Sequence, residues 1–199
     1  MSTTALAISN LGSGPWDVER RIPVGQSEHV VSGDPRVVLT ARLGSCVCAC
    51  IRDPLARIGG MSQFLLPAGE CSEFESLAHG VNAVELLVNG LVKLGGRRER
   101  MQARLYGGAR LLRGMSDVGA RTAVFAERLM HAEGVAFLGG DLGGECARLL
   151  LFWPVRGRSR QLTVHTSKPG AFDRRLFEAE RKTHAHQPAW RGAGAVELF

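Results

Sequence analysis

Residues 43–67 read LGSCVCACIRDPLARIGGMSQFLLP, and the order of features along them decides the fold. Residues 47–51 are a β-prone apolar run stopped by Asp53-Pro54. Residues 58–66 form a second run, flanked by Gly59 and Gly60 and closed by Pro67. The six residues 52–57 between them predict an antiparallel hairpin. Just ahead of the first run, Gly44-Ser45 delivers Cys46 to a strand edge. A glycine there lets the backbone turn, and neighbouring amides can face the oxygen of an attacked carbonyl. Cys48 and Cys50 follow at two-residue steps, share one strand face, and read as packing residues.

Upstream, Gly33-Asp34-Pro35 signals a turn before the short β-prone run 37–40, while residues 1–20 show no periodicity and read as a flexible lead-in. Downstream, Ser72 followed by Glu75 has the spacing of a capping box, and Leu77, Val81, Val84, Val88 and Leu91 recur at helical steps until Gly95-Gly96. Residues 101–106 read as a strand entering Gly107-Gly108-Ala109. Residues 118–133 read as a second helix with Phe125 and Leu129 inward and Gly134 as its stop. Residues 135–138 predict a strand leading to a turn at 139–144, then 148–155 and 162–166 a closing strand pair, and 172–182 a last helix. About seven strands with two or three helices make an α+β sandwich, with one domain over 21–166 and a C-terminal helix and tail over 167–199.

The composition narrows the class. With 199 residues and 45% hydrophobic content, the chain can bury one sizeable core. No apolar run reaches the roughly 20 residues of a membrane span, and the N-terminus lacks a basic region before its short apolar patch. Five cysteines, an odd number with three clustered at 46, 48 and 50, read as reduced thiols in the cytoplasm. They stand at no C-x-x-C spacing that would hold zinc. Lys and Arg outnumber Asp and Glu by 25 to 19, a net +6, but only 6% of residues are aromatic. Basic groups without interleaved aromatics fit solvated faces, or attraction to an acidic protein surface, better than nucleic-acid binding.

The ordered motifs resemble one family. TARLGSC (40–46), Asp53-Pro54, GGMSQFLLP (59–67), RRERMQARLYGGA (97–109), VGAR (118–121), DLGG (141–144) and the terminal VELF (196–199) are similar to the chemoreceptor glutamine deamidases, the CheD family. The resemblance implies a three-layer α/β sandwich of the CheD type. It implies amide hydrolysis of glutamines on the cytoplasmic region of methyl-accepting chemotaxis receptors, with no cofactor. A CheC-type phosphatase is a further partner that the family implies. By the same resemblance Cys46 is the nucleophile, forming a thioester, and Thr40 orients the catalytic histidine.

At the histidine the sequence departs from the pattern, for Gln63 occupies its place. An amide donates and accepts hydrogen bonds but takes no proton near neutral pH. A positioned general base contributes about 10²–10⁴ in rate, whereas an ordinary thiol of pKa about 8.5 leaves a few per cent thiolate at neutral pH. The alternative to a slow enzyme is therefore a weakened family member acting as a receptor- or phosphatase-binding module. The histidines that could substitute are His29, His79, His131, His165, His184 and His186. Thr122 is a second departure, standing where the family usually has asparagine. For the chemistry to work, Cys46 must be reachable by a glutamine side chain.

Overall fold

The computed structural model describes residues 19–66, 73–111 and 118–164. In chain order the elements are β1 (Arg20–Pro23), β2 (His29–Ser32), β3 (Val37–Leu43), β4 (Val47–Asp53), β5 (Ile58–Phe64), α1 (Glu73–Lys93), a 3-10 turn (Arg98–Arg100), β6 (Gln102–Gly107), α2 (Val118–Ala132), β7 (Ala136–Leu142), β8 (Arg148–Trp153) and β9 (Arg158–Thr163). They form two mixed sheets, one ordered β1-β3-β8-β9 and the other β2-β5-β4-β6-β7. Among the described residues no helix is long and apolar enough to cross a membrane.

The hairpin read from residues 43–67 is the centre of the larger sheet. β4 pairs antiparallel with β5 on one side, Cys48 opposite Gln63, and with β6 on the other. Both of its faces are covered, so its residues are apolar without interruption from Val47 to Ile51. Val47, Ala49 and Ile51 face the helices, joined by Val84, Leu87, Val88 and Leu91 of α1 and by Ala126, Leu129 and Met130 of α2. Cys48 and Cys50 face the other sheet, packing with Leu39, Leu43, Met61, Leu150 and Phe152. Helices, larger sheet and smaller sheet thus stack as three layers around two apolar seams. Each large side chain fully buried there, such as Phe64, contributes about 2–3 kcal/mol. Gly80 brings the two helices together, because the Phe125 ring occupies the space a Cβ would need, and Phe125 meets Phe64 edge-on at 6.4 Å.

The three-layer α+β sandwich stands as read, with three differences in detail. Nine strands are present among the described residues rather than about seven. The additional ones, β1 and β2, are four residues long and carry too few apolar positions to show a period. β7 does not turn at Gly139-Gly140 but runs through both to Leu142, beside a register shift between Ala103 and Leu105. A Cβ on Gly140 would lie 1.8 Å from the Leu105 carbonyl, so this glycine serves close strand approach rather than a turn. β9 starts at Arg158, four residues early, because its pairing with β8 tolerates arginine on an exposed edge. The cap at Ser72 and the helix over 172–182 lie outside the described residues.

At its far end β4 stops at Asp53, whose side chain is fully buried. One carboxylate oxygen accepts the Leu55 and Ala56 amides at 2.9 and 3.1 Å, closing the hairpin turn. The other accepts the Arg97 amide at 2.9 Å and two nitrogens of Arg100 at 2.9 and 2.6 Å. Burial pushes the carboxyl pKa up, but the Arg97 and Ala56 amides, Arg100 and the Leu55 amide outweigh it and hold the group at about 2.

Candidate active site

The chain leaves the smaller sheet at Leu43 and enters the larger one at Val47, so residues 44–46 are the crossing between layers. This crossing hangs on the end of β6. The Gly108 amide donates to the Cys46 carbonyl at 2.8 Å, and the Ala109 amide to the Gly44 carbonyl at 2.8 Å. Gly107, at φ +108°, approaches so closely that a Cβ there would lie 2.2 Å from the Cys46 oxygen. Only glycine satisfies both the dihedral and the distance.

Cys46 is fully buried. Its sulfur lies 3.1 Å from Gln63 Nε2, which also donates to the Arg42 carbonyl at 3.2 Å. That second bond orients the amide: a carbonyl can only accept, so the amino end of Gln63 must face Arg42, and its other N–H is aimed at sulfur. The Gln63 carbonyl oxygen is buried without a hydrogen-bond partner, and so is the hydroxyl of neighbouring Ser62. A buried acceptor left in this state costs about 1–3 kcal/mol, and such groups concentrate where structure serves function.

Of the residues singled out in the sequence, Cys46 and Gln63 are therefore in contact. Thr40 is not in that set of bonds. It lies half-buried in β3, opposite Pro23 and Leu151, with its backbone carbonyl accepting the Val24 amide at 2.8 Å. Cys48 and Cys50 are inter-sheet packing residues, and burial, with Cys50 and Cys46 beside it, pushes the Cys48 thiol pKa up. Among the histidines, His29 lines a groove beside α1 with Val31, Leu86 and Lys93, and His131 sits edge-on to Phe137 at 6.1 Å. His165, His184 and His186 lie outside the described residues.

Thr122 has a definite task. Its buried hydroxyl donates to the Val118 carbonyl at 2.8 Å and accepts the Leu66 amide at 3.2 Å, tying the exit of β5 to the start of α2. One residue at this site escapes sequence reading altogether. Arg148, almost fully buried at the head of β8, reaches from the smaller sheet to the glycine turn that follows β7. The only signal for it is an arginine soon after Gly143-Gly144 at the start of an apolar strand.

Known proteins resemble nearly the whole chain. The family model described as CheD chemotactic sensory transduction matches residues 65–163. A protein of Acidiphilium cryptum (strain JF-5), named probable chemoreceptor glutamine deamidase CheD, is 44% identical over 190 residues, covering 92% of this chain and 95% of its own. A protein of the same name from Caulobacter sp. (strain K31) is 45% identical over 181 residues, covering 90% and 93%. Among solved structures, a Neisseria meningitidis protein of family-model DUF152 aligns at TM-score 0.41 and 11% identity, over 61% of this chain and 63% of that one.

Proposed function

The chain belongs to the CheD family of chemoreceptor glutamine deamidases, and from that membership we propose that it hydrolyses side-chain amides of glutamines on the cytoplasmic region of methyl-accepting chemotaxis receptors. Residues 21–166 are its catalytic domain. The observation that carries the reading is the 44–45% identity, over nine-tenths of the chain, to proteins named probable chemoreceptor glutamine deamidase, and within it Cys46 stands on the crossing between the two sheets.

Cys46, as thiolate, attacks the carboxamide carbon of the substrate glutamine. The amide nitrogen of the tetrahedral adduct takes up a proton from solvent and leaves as ammonia as the C–N bond breaks, giving a thioester. Water then cleaves the thioester, releasing glutamate and restoring the thiol. Gln63 cannot receive the thiol proton and Cys46 is covered, so the proton reaches solvent, and the substrate reaches the sulfur, only when the 44–46 crossing opens, and only the thiolate fraction then reacts. Gln63 instead holds the sulfur in place by donating an N–H to it. The missing base costs about 3–5 kcal/mol of barrier, so turnover is slow.

A second reading, a receptor-binding or CheC-type phosphatase-binding module with no turnover, is favoured by one observation: Cys46 has no exposed surface. One experiment separates the two. Wild type and Cys46→Ala are incubated with receptor cytoplasmic fragments, and peptide mass spectrometry follows the carboxamide-to-carboxylate exchange. The deamidase reading expects conversion by wild type alone. A silent wild type that still co-purifies with the fragments establishes the binding module, and conversion by Cys46→Ala removes Cys46 as the nucleophile.

A further inference from the structure

We infer that Arg148 is a positioning residue for Cys46: its guanidinium sets the glycine turn on which the nucleophile's crossing is hung. The side chain starts on β8, where Arg148 pairs with Leu43, the last residue before the crossing. It donates Nη1 to the Asp141 carbonyl at 2.7 Å and Nη2 to the Gly143 carbonyl at 2.5 Å, with the Asp141 carboxylate 3.5 Å from Nη2. From that turn the chain of bonds runs directly to the site. The Gly143 amide donates to the Gly107 carbonyl at 2.8 Å, and the Arg110 amide to the Gly144 carbonyl at 2.8 Å. Gly108 and Ala109 then hold the carbonyls of Cys46 and Gly44. Arg148, two glycine turns and the nucleophile form one relay of short bonds between the sheets.

The choice of residue has a physical reason. A fully extended fork is needed to satisfy two carbonyls at once, and a lysine ammonium presents no such fixed pair of donors. The turn is shaped to receive it: Gly144, at φ +82°, has its missing Cβ position 2.8 Å from Arg148 Nη2. A buried cation is costly to place unless its charge and hydrogen bonds are answered, and here they are, by the Asp141 and Gly143 carbonyls and the nearby Asp141 carboxylate. Purely structural packing of the two sheets already exists in the apolar seam and calls for no charge there.

The kinetic arm of the test rests on the deamidase reading, whereas the labelling arm stands without it. In the full chain, Arg148→Lys and Gly143→Ala perturb the same link from its two ends. Gly143, at φ +80°, has open space around its Cβ position, so alanine there shifts the turn through its backbone rather than by collision. Iodoacetamide labelling of Cys46, Cys48 and Cys50, assigned residue by residue from fragment ions, and thermal melting are measured for each. In both variants Cys46 labels at least about fivefold faster than in wild type while Cys48 and Cys50 do not, because the crossing alone loosens. On receptor fragments, kcat falls about tenfold to a hundredfold, as for a misplaced reacting group, with KM within about twofold. Uniform labelling of all three cysteines, or a Cys46 rate equal to wild type, overturns the inference. If Arg148→Lys does not fold, Gly143→Ala decides by the same two criteria. A wild type without turnover defeats the deamidase reading and leaves the labelling outcome intact.

Discussion

The two ends of β4 carry the two most polar buried groups of the larger sheet, and they are opposite in design. At one end Asp53 has every acceptor site supplied by backbone amides and by Arg100. At the other, roughly 20 Å along the strand, Gln63 holds the Cys46 sulfur and the Arg42 carbonyl while its own oxygen lacks a partner. A saturated network can only lock the hairpin in place. An unsaturated one leaves a buried carbonyl oxygen open on the same side chain whose N–H faces the thiol, at a cost in stability that packing elsewhere offsets. The contrast separates a residue that holds the fold from one that, on the proposed function, holds the reacting sulfur, though both are buried and both flank the same strand.

Substitutions at the two ends test that contrast. Cys46→Ala should have the largest effect, complete loss of glutamine conversion with a melting temperature within a few degrees of wild type. A folded, active Cys46→Ala would move the chemistry away from this end of β4. Asp53→Ala should do the reverse, costing about 3 kcal/mol in urea unfolding because three amides lose their acceptor and Arg100 its partner, with turnover per folded molecule unchanged. A loss of turnover in excess of the loss of folded protein would break the division of labour.

The acid limb gives a smaller effect of known sign. Because the folded-state pKa of Asp53 is depressed to about 2, its stabilisation is fully present above the unfolded value near 4 and is lost as pH falls from there toward 2. After allowance for solvent screening at the partly exposed Arg100, that loss amounts to about 1–2 kcal/mol. Urea midpoints measured between pH 5 and 2 should fall less steeply in Asp53→Asn than in wild type. Equal slopes would show that other carboxylates dominate.

Gln63→His is the mildest in free energy and the sharpest in meaning. It should raise conversion at pH 7 by tenfold or more, about 1.4 kcal/mol of barrier, by supplying the proton acceptor. The advantage should narrow toward pH 9, where hydroxide removes the thiol proton unaided. A variant no faster than wild type at pH 7 would mean that the proton already has another acceptor.

Much of this was legible in the chain because it is local. The hairpin follows from two β-prone runs around Asp53-Pro54, and α1 from apolar residues at helical spacing, of which Val84, Val88 and Leu91 are buried as read. Cys46 and Gln63 were found by their place in an ordered set of motifs. β1 and β2 were not, since four-residue strands such as RRIP and HVVS owe their pairing to neighbours distant in sequence. Gly139-Gly140 carried a turn signature, yet Gly140 is where two strands approach too closely for a side chain. The second glycine pair, Gly143-Gly144, does turn, and takes its importance from an arginine on the other sheet.

From its residues alone this protein has a layered α+β architecture, a cysteine at a strand edge, and a glutamine where the resemblance leads one to expect a histidine. Local periodicity, turn chemistry and side-chain acidity are properties of short stretches, so they can be read without coordinates. That Gln63 donates to the sulfur, that Cys46 is covered, and that Arg148 anchors the glycine turns were decided only by the packing of the two sheets. Hydrogen bonds depend on angstrom distances between residues that sequence order keeps far apart.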